Sequence, residues 1–120
     1  MLSKEIQEKI LPTLKKYFGY DQFRSQQQEI IESVLAGKDT LALLPTGGGK
    51  SMCYQLPALC KDGLCLVVSP LIALMKDQVD KLQKKHIEAT YINSMLTGRE
   101  RKLRYNDLKQ GKYKILYVTP

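Results

Sequence analysis

Along the chain, apolar residues fall into short runs and spaced repeats with polar stretches between them. Ile6, Ile10, Leu14 and Phe18 recur every four residues, the spacing of one helix face. Pro12 lies inside that pattern and is expected to kink or split the helix. Ser25-Gln26-Gln27-Gln28 has capping-box form and predicts a second helix to about Ala36, stopped by Gly37. From there strands and helices are expected to alternate. Thr40–Leu44 reads as a short strand, followed by a glycine-rich loop and a helix over Ser51–Leu59. Leu64–Val68 reads as the next strand, and Ser69-Pro70 as N-cap and N1 proline of a helix to about Lys85. Ala89–Ile92 is a third strand. Thr97-Gly98-Arg99-Glu100 is a capping box opening a helix that ends at Gly111, and Ile115–Val118 is a fourth strand.

This order predicts an α/β fold of parallel βαβ units with helices on both faces. Ligand sites in such sheets lie beyond the carboxyl ends of the strands. The glycine loop, Ser69-Pro70 and Thr119-Pro120 each follow a strand directly, so all three are expected on one edge. The chain ends two residues after an apolar strand, which reads as a cut within a domain, a fold incomplete at its C-terminus. The expected organisation is an N-terminal helical segment, residues 1–37, and the front part of an α/β domain, residues 38–120.

Composition adds direction. The 120 residues are 43% hydrophobic and 26% charged, ordinary globular usage that excludes a disordered chain. The net charge is +7 and one-sided: residues 1–60 hold 7 Lys+Arg against 6 Asp+Glu, residues 61–120 hold 12 against 6. Such a bias suggests a polyanionic partner, but by itself it is more often an ordinary solvated surface. Arg99, Arg101, Lys102 and Arg104 crowd one helix but scatter around it, which favours a solvated face. Cys53, Cys60 and Cys65 form no CxxC pair and read as packing thiols, against a zinc site. His86 reads as a helix-end residue without a chemical role. No signal peptide is visible, and the longest apolar stretch, Leu64 to Met75, is too short to span a bilayer. A soluble, intracellular protein without a membrane partner is expected.

The sharpest chemistry lies in Thr46-Gly47-Gly48-Gly49-Lys50-Ser51 between a predicted strand and helix. Glycines let backbone N–H groups approach phosphates without a Cβ in the way, and a helix N-terminus favours negative charge. Lys50 supplies a cation for the β- and γ-phosphates, and Ser51 a hydroxyl for Mg²⁺. Leu44 stands where the strict phosphate-loop motif has its first glycine, whereas the shorter T-G-x-G-K-S form is met in full. The alternative is a glycine-rich turn carrying a surface lysine.

Phe18-Gly19-Tyr20-Asp21-Gln22-Phe23-Arg24-Ser25-Gln26-Gln27 resembles the adenine-reading motif of RecQ-family DNA helicases. The resemblance continues through Pro45–Leu59, close to the family's motif I, and Val67–Val79, which matches motif Ia. Tyr117-Val118-Thr119-Pro120 looks like the start of motif Ib. The resemblance implies the first RecA-like motor domain, an ATP and Mg²⁺ requirement, and a DNA substrate, single-stranded or partly duplex, unwound 3′ to 5′. It also implies a cytoplasmic location, nucleoid-associated or nuclear according to the cell. By it, Tyr20 and Arg24 stack on adenine and Gln27 reads its edge; Lys50 is the catalytic cation. Ser69, Pro70 and Thr119 hold a strand by its phosphates, with Lys76 a lesser contact. The family's D-E-x-H carboxylates do not occur here, so these 120 residues are expected to grip ATP without hydrolysing it. A stand-alone ATP- and nucleic-acid-binding module, and more remotely a small-molecule kinase, are the alternatives.

Overall fold

A computed structural model describes residues 2–24, 26–44 and 49–120. The chain divides into two compact units, Met1–Asp62 and Gly63–Pro120.

The first unit is helical. Helix α1, Lys4–Thr13, opens where the Ser3 hydroxyl accepts the Ile6 N–H at 3.2 Å. Pro12 does not split it. The backbone passes into a π-helical turn, Leu14–Phe18, before Gly19 ends it with φ 76°. Pro12 offers no N–H to the Glu8 carbonyl, yet the helix runs on through it. Helix α2, Gln27–Leu35, starts after Gln26, which makes no side-chain cap. Of the expected capping box, Ser25 lies outside the described residues, and Gln28 donates forward to Glu32 at 3.0 Å. Helix α3 is Met52–Cys60. Ile10, Leu14, Ile31, Leu35, Met52 and Leu56 form the shared core, with Ile6 and Phe18 packed against it. The four-residue repeat is therefore the buried face.

Thr40–Leu44 does not form the expected strand. Among the described residues it pairs with no neighbour, and Leu41 and Leu43 are 86% and 81% exposed. Alternating apolar residues can suggest a strand, but a strand persists only beside a partner, and the described part of this unit has none.

The second unit holds a parallel sheet of order β1-β3-β2, with β1 Cys65–Val68, β2 Ala89–Ile92 and β3 Ile115–Val118. Val68 and Ile92 both align with Val118, so the three strands end level. Helix α4, Ile72–Lys84, connects β1 to β2, and α5, Gly98–Lys109, connects β2 back to β3. The connections step across the sheet in opposite directions, so right-handed crossovers put the two helices on opposite faces. Helix α4 buries Met75, Val79 and Leu82. Helix α5 buries no residue fully. Its predicted capping box is formed: Thr97 Oγ1 accepts the Glu100 N–H at 3.1 Å, and Glu100 Oε1 accepts the Thr97 N–H at 3.0 Å. The Thr97 N–H holds the Glu100 carboxyl below its ordinary pKa.

Ser69-Pro70 does not cap α4. The Ser69 N–H stays in the ladder, donating to the Val118 carbonyl at 2.9 Å, while its Oγ accepts the Leu71 N–H at 3.2 Å. Sheet pairing thus holds Ser69 extended, and the helix begins two residues past Pro70.

At the other end of α4, Ile87 N–H donates to Leu82 O and His86 N–H to Gln83 O, each at 3.0 Å. This is a Schellman closure, and it places His86 at φ 64° where α5 has Gly111 at φ 72°. A side chain in the left-handed region costs about 1 kcal/mol. His86→Gly is accordingly expected to stabilise the chain by roughly 0.5–1 kcal/mol, visible as a higher Tm; an unchanged or lower Tm counts against that cost.

Candidate nucleotide and strand-binding site

Arg24 and Gln27 meet the glycine loop at Gly49. Gln27 is the first residue of α2 and its side chain is 1% exposed. Its Oε1 accepts the Arg24 N–H at 2.9 Å, and its Nε2 donates to the Gly49 carbonyl at a long 3.4 Å. Gly49 has φ 75°, and a Cβ there would overlap Gln27 Nε2 and lie 3.5 Å from Arg24 Nη2. The backbone conformation favours glycine here, and any Cβ would oblige the buried Gln27 amide to move.

Cys53 Sγ lies 3.8 Å from the same carbonyl, one helical turn further on. Burial raises the Cys53 pKa, which keeps the thiol protonated as a weak donor. Sequence reasoning gave this cysteine a packing role only; its i+4 spacing from Gly49 was the available clue.

Lys50 is exposed and Ser51 half-exposed at the start of α3, where Ser51 caps nothing with its side chain. The cation and the hydroxyl stand at a helix N-terminus, the donor set that phosphates and Mg²⁺ favour. Tyr20, 50% exposed, and Arg24 are both on the surface. Thr46, Gly47 and Gly48 lie outside the described residues. A cavity of about 220 Å³ beside Lys50 is lined mainly by Ile30, Val34, Ala42, Leu44 and Tyr54. It falls short of the roughly 300 Å³ at which small-molecule pockets begin and does not include Tyr20, Arg24 or Gln27, so it is space between helices rather than a base pocket.

In the second unit, Ser69-Pro70 follows β1 and Thr119-Pro120 follows β3. These strands are hydrogen-bonded neighbours, so the two pairs lie side by side at the carboxyl edge, joined by the Ser69 N–H to Val118 O bond. Among the described residues, the segment before the glycine loop forms no strand of this sheet. Lys76 is bound at 2.9 Å to Asp80, one turn along α4, and that hydrogen bond raises its pKa.

Sequence comparison decides the family. The DEAD/DEAH box helicase family matches residues 24–120. The chain belongs to the DEAD/DEAH box helicase family. Among its relatives, the ATP-dependent DNA helicase RecQ of Haemophilus influenzae is 52% identical over 121 residues, covering 100% of this chain and 20% of its own length. RecQ of Bacillus subtilis is 54% identical over 108 residues, covering 89% of this chain and 18% of its own. Rat ATP-dependent DNA helicase Q5 is 46% identical, covering 95% of this chain and 12% of its own length. The likeness within the helicase family is thus to RecQ proteins, and the chain spans a fifth or less of the length of these curated relatives. The fold of this helicase chain is α/β and RecA-like, with a three-stranded parallel sheet. None of its described helices is long and apolar enough to cross a membrane.

Proposed function

We propose that this chain is the nucleotide-gripping front of an ATP-dependent DNA helicase motor that moves 3′ to 5′ on one strand and unwinds duplex. The observation that supports it best is the junction at Gly49, where Gln27 and Arg24 close on the loop that carries Lys50 and Ser51. A motif suited to adenine and a loop suited to phosphates are joined there, as an ATP site requires.

In this reading Tyr20 and Arg24 stack on the base, since an aromatic face and a guanidinium plane both pair with a purine. Gln27 reads its edge, since an amide offers both a donor and an acceptor to match adenine's. Lys50, with the backbone of Thr46–Gly49, neutralises the phosphates, and Ser51 holds Mg²⁺ by its hydroxyl. ATP supplies the free energy of the motor. Ser69, Pro70 and Thr119 hold a DNA strand by its backbone, which positions without reading sequence. Lys76 adds charge there only to the extent that Asp80 releases it. An intracellular place, beside nucleoid or nuclear DNA, follows from that substrate. Residues 1–37 serve as the adenine-reading segment and residues 38–120 as the front of the motor domain. Lacking D-E-x-H, these 120 residues bind ATP without turning it over.

Adenine recognition is tested by comparing ATP with GTP. Calorimetric titration of the chain is expected to favour ATP by tenfold or more, with the preference lost in Gln27→Ala. Equal affinity for the two nucleotides in the unmodified chain would contradict the role given to Gln27.

A further inference from the structure

Nearly all the positive excess of the second unit lies between Gly98 and Lys114, which holds seven Lys+Arg against two Asp+Glu. The structure sorts these charges onto two sides of α5. Arg101 donates to the Leu96 carbonyl at 3.1 Å. Arg104 donates to the Tyr91 carbonyl and sits 4.5 Å over the Tyr91 ring. Both are therefore spent on fastening a helix that buries no residue fully. Lys112 pairs with Asp107 at 3.1 Å.

Arg99, Lys102 and Lys109 behave otherwise. They are exposed and make no hydrogen bond or ion pair among the described residues. With Asn106 they follow the 3-4-3 spacing of a single helix face, about 15 Å long at 1.5 Å per residue. Glu100 and Asp107 fall off that face, as the same spacing requires. The ring of Tyr105, 51% exposed, lies at its margin, three residues after Lys102 and four before Lys109. The charges that look scattered in sequence thus form an unneutralised stripe bordered by an exposed aromatic ring.

We propose that this face of α5 is a second contact surface for single-stranded nucleic acid, distinct from the strand-end contacts at Ser69 and Thr119. It rests on the DNA-motor reading above. Lysines and arginine without partners suit any polyanion, but an exposed aromatic ring among them suits a base, which stacks on it. An acidic protein segment gives such a ring nothing comparable. The carboxyl edge of the sheet is where α5 begins, so a strand leaving Ser69 and Thr119 meets Arg99 first.

The test is binding of the chain to a fluorescent single-stranded 20-mer across a salt series. Converting Arg99, Lys102 and Lys109 to Gln should make the slope of log affinity against log salt shallower by about 2, from roughly 0.7 per lost phosphate contact. Tyr105→Ala should weaken binding about 5- to 100-fold with little change of slope, while Tyr105→Phe binds normally. These side chains are exposed, and circular dichroism checks that each variant is folded. Wild-type slope and affinity in both variants, with binding weakened by Ser69→Ala and Thr119→Ala, overturns the α5 surface and leaves the DNA reading intact. No binding of the 20-mer by the unmodified chain sinks both. Displacement of the 20-mer by polyglutamate of equal charge as effectively as by unlabelled DNA also overturns the proposal, in favour of an acidic protein partner.

Discussion

Replacing Gly49 by alanine is expected to lower the Tm by roughly 10 °C or more and to weaken ATP binding at least tenfold. Two costs combine. At φ 75° an alanine meets the left-handed penalty of about 1 kcal/mol. Its Cβ also overlaps the Gln27 amide, which is buried and bonded at both ends. Turning that amide aside leaves a buried polar group without partners, at about 1–3 kcal/mol. For a unit of this size each kcal/mol shifts the midpoint by about 4–8 °C. The overlap is separable from the backbone cost by the double variant Gly49→Ala with Gln27→Ala, expected to lose less than the two single losses added. Strict additivity, or a Gly49→Ala protein that melts with the wild type, would mean that α2 and the loop do not meet as described.

How much of this was legible beforehand depended on the range of the interaction. The π-helical junction aside, α1 to α5 and the three paired strands were visible as local patterns, because period and caps act within a few residues. Thr97 and Glu100, three residues apart, gave their capping box from identity alone. The alternation at Thr40–Leu44 looked equally clear, yet a strand also needs a neighbour, and no sequence window contains that information. Ser69-Pro70 had the residues of a helix start, but the Val118 carbonyl, on another strand, claims the Ser69 N–H. Charge on α5 looked diffuse because four basic residues in six positions surround a helix; only the bonds of Arg101 and Arg104 reveal which side faces in.

The candidate site divides the same way. Residue types suited to a purine and to phosphates were readable from Tyr20, Arg24, Gln27, Lys50 and Ser51 one motif at a time. Their meeting was not, since Gln27 and Gly49 are 22 residues apart and touch through packing of α2 on α3. That contact gives a physical reason for glycine at 49 beyond the general liking of phosphate loops for it.

The proposed division of labour gives the nucleotide to Lys50 and the DNA strand to Ser69 and Thr119. It predicts a clean dissociation in Lys50→Ala. Removing the cation proposed for the β- and γ-phosphates should weaken ATP binding by roughly 30- to 150-fold, the 2–3 kcal/mol of a charge-assisted contact. Lys50 is exposed, so little stability is at stake. The decisive measurement is a paired titration of wild type and Lys50→Ala with ATP and Mg²⁺ and, separately, with single-stranded DNA. ATP affinity is expected to collapse while DNA affinity stays within about twofold; loss of DNA binding with ATP binding retained would contradict that division.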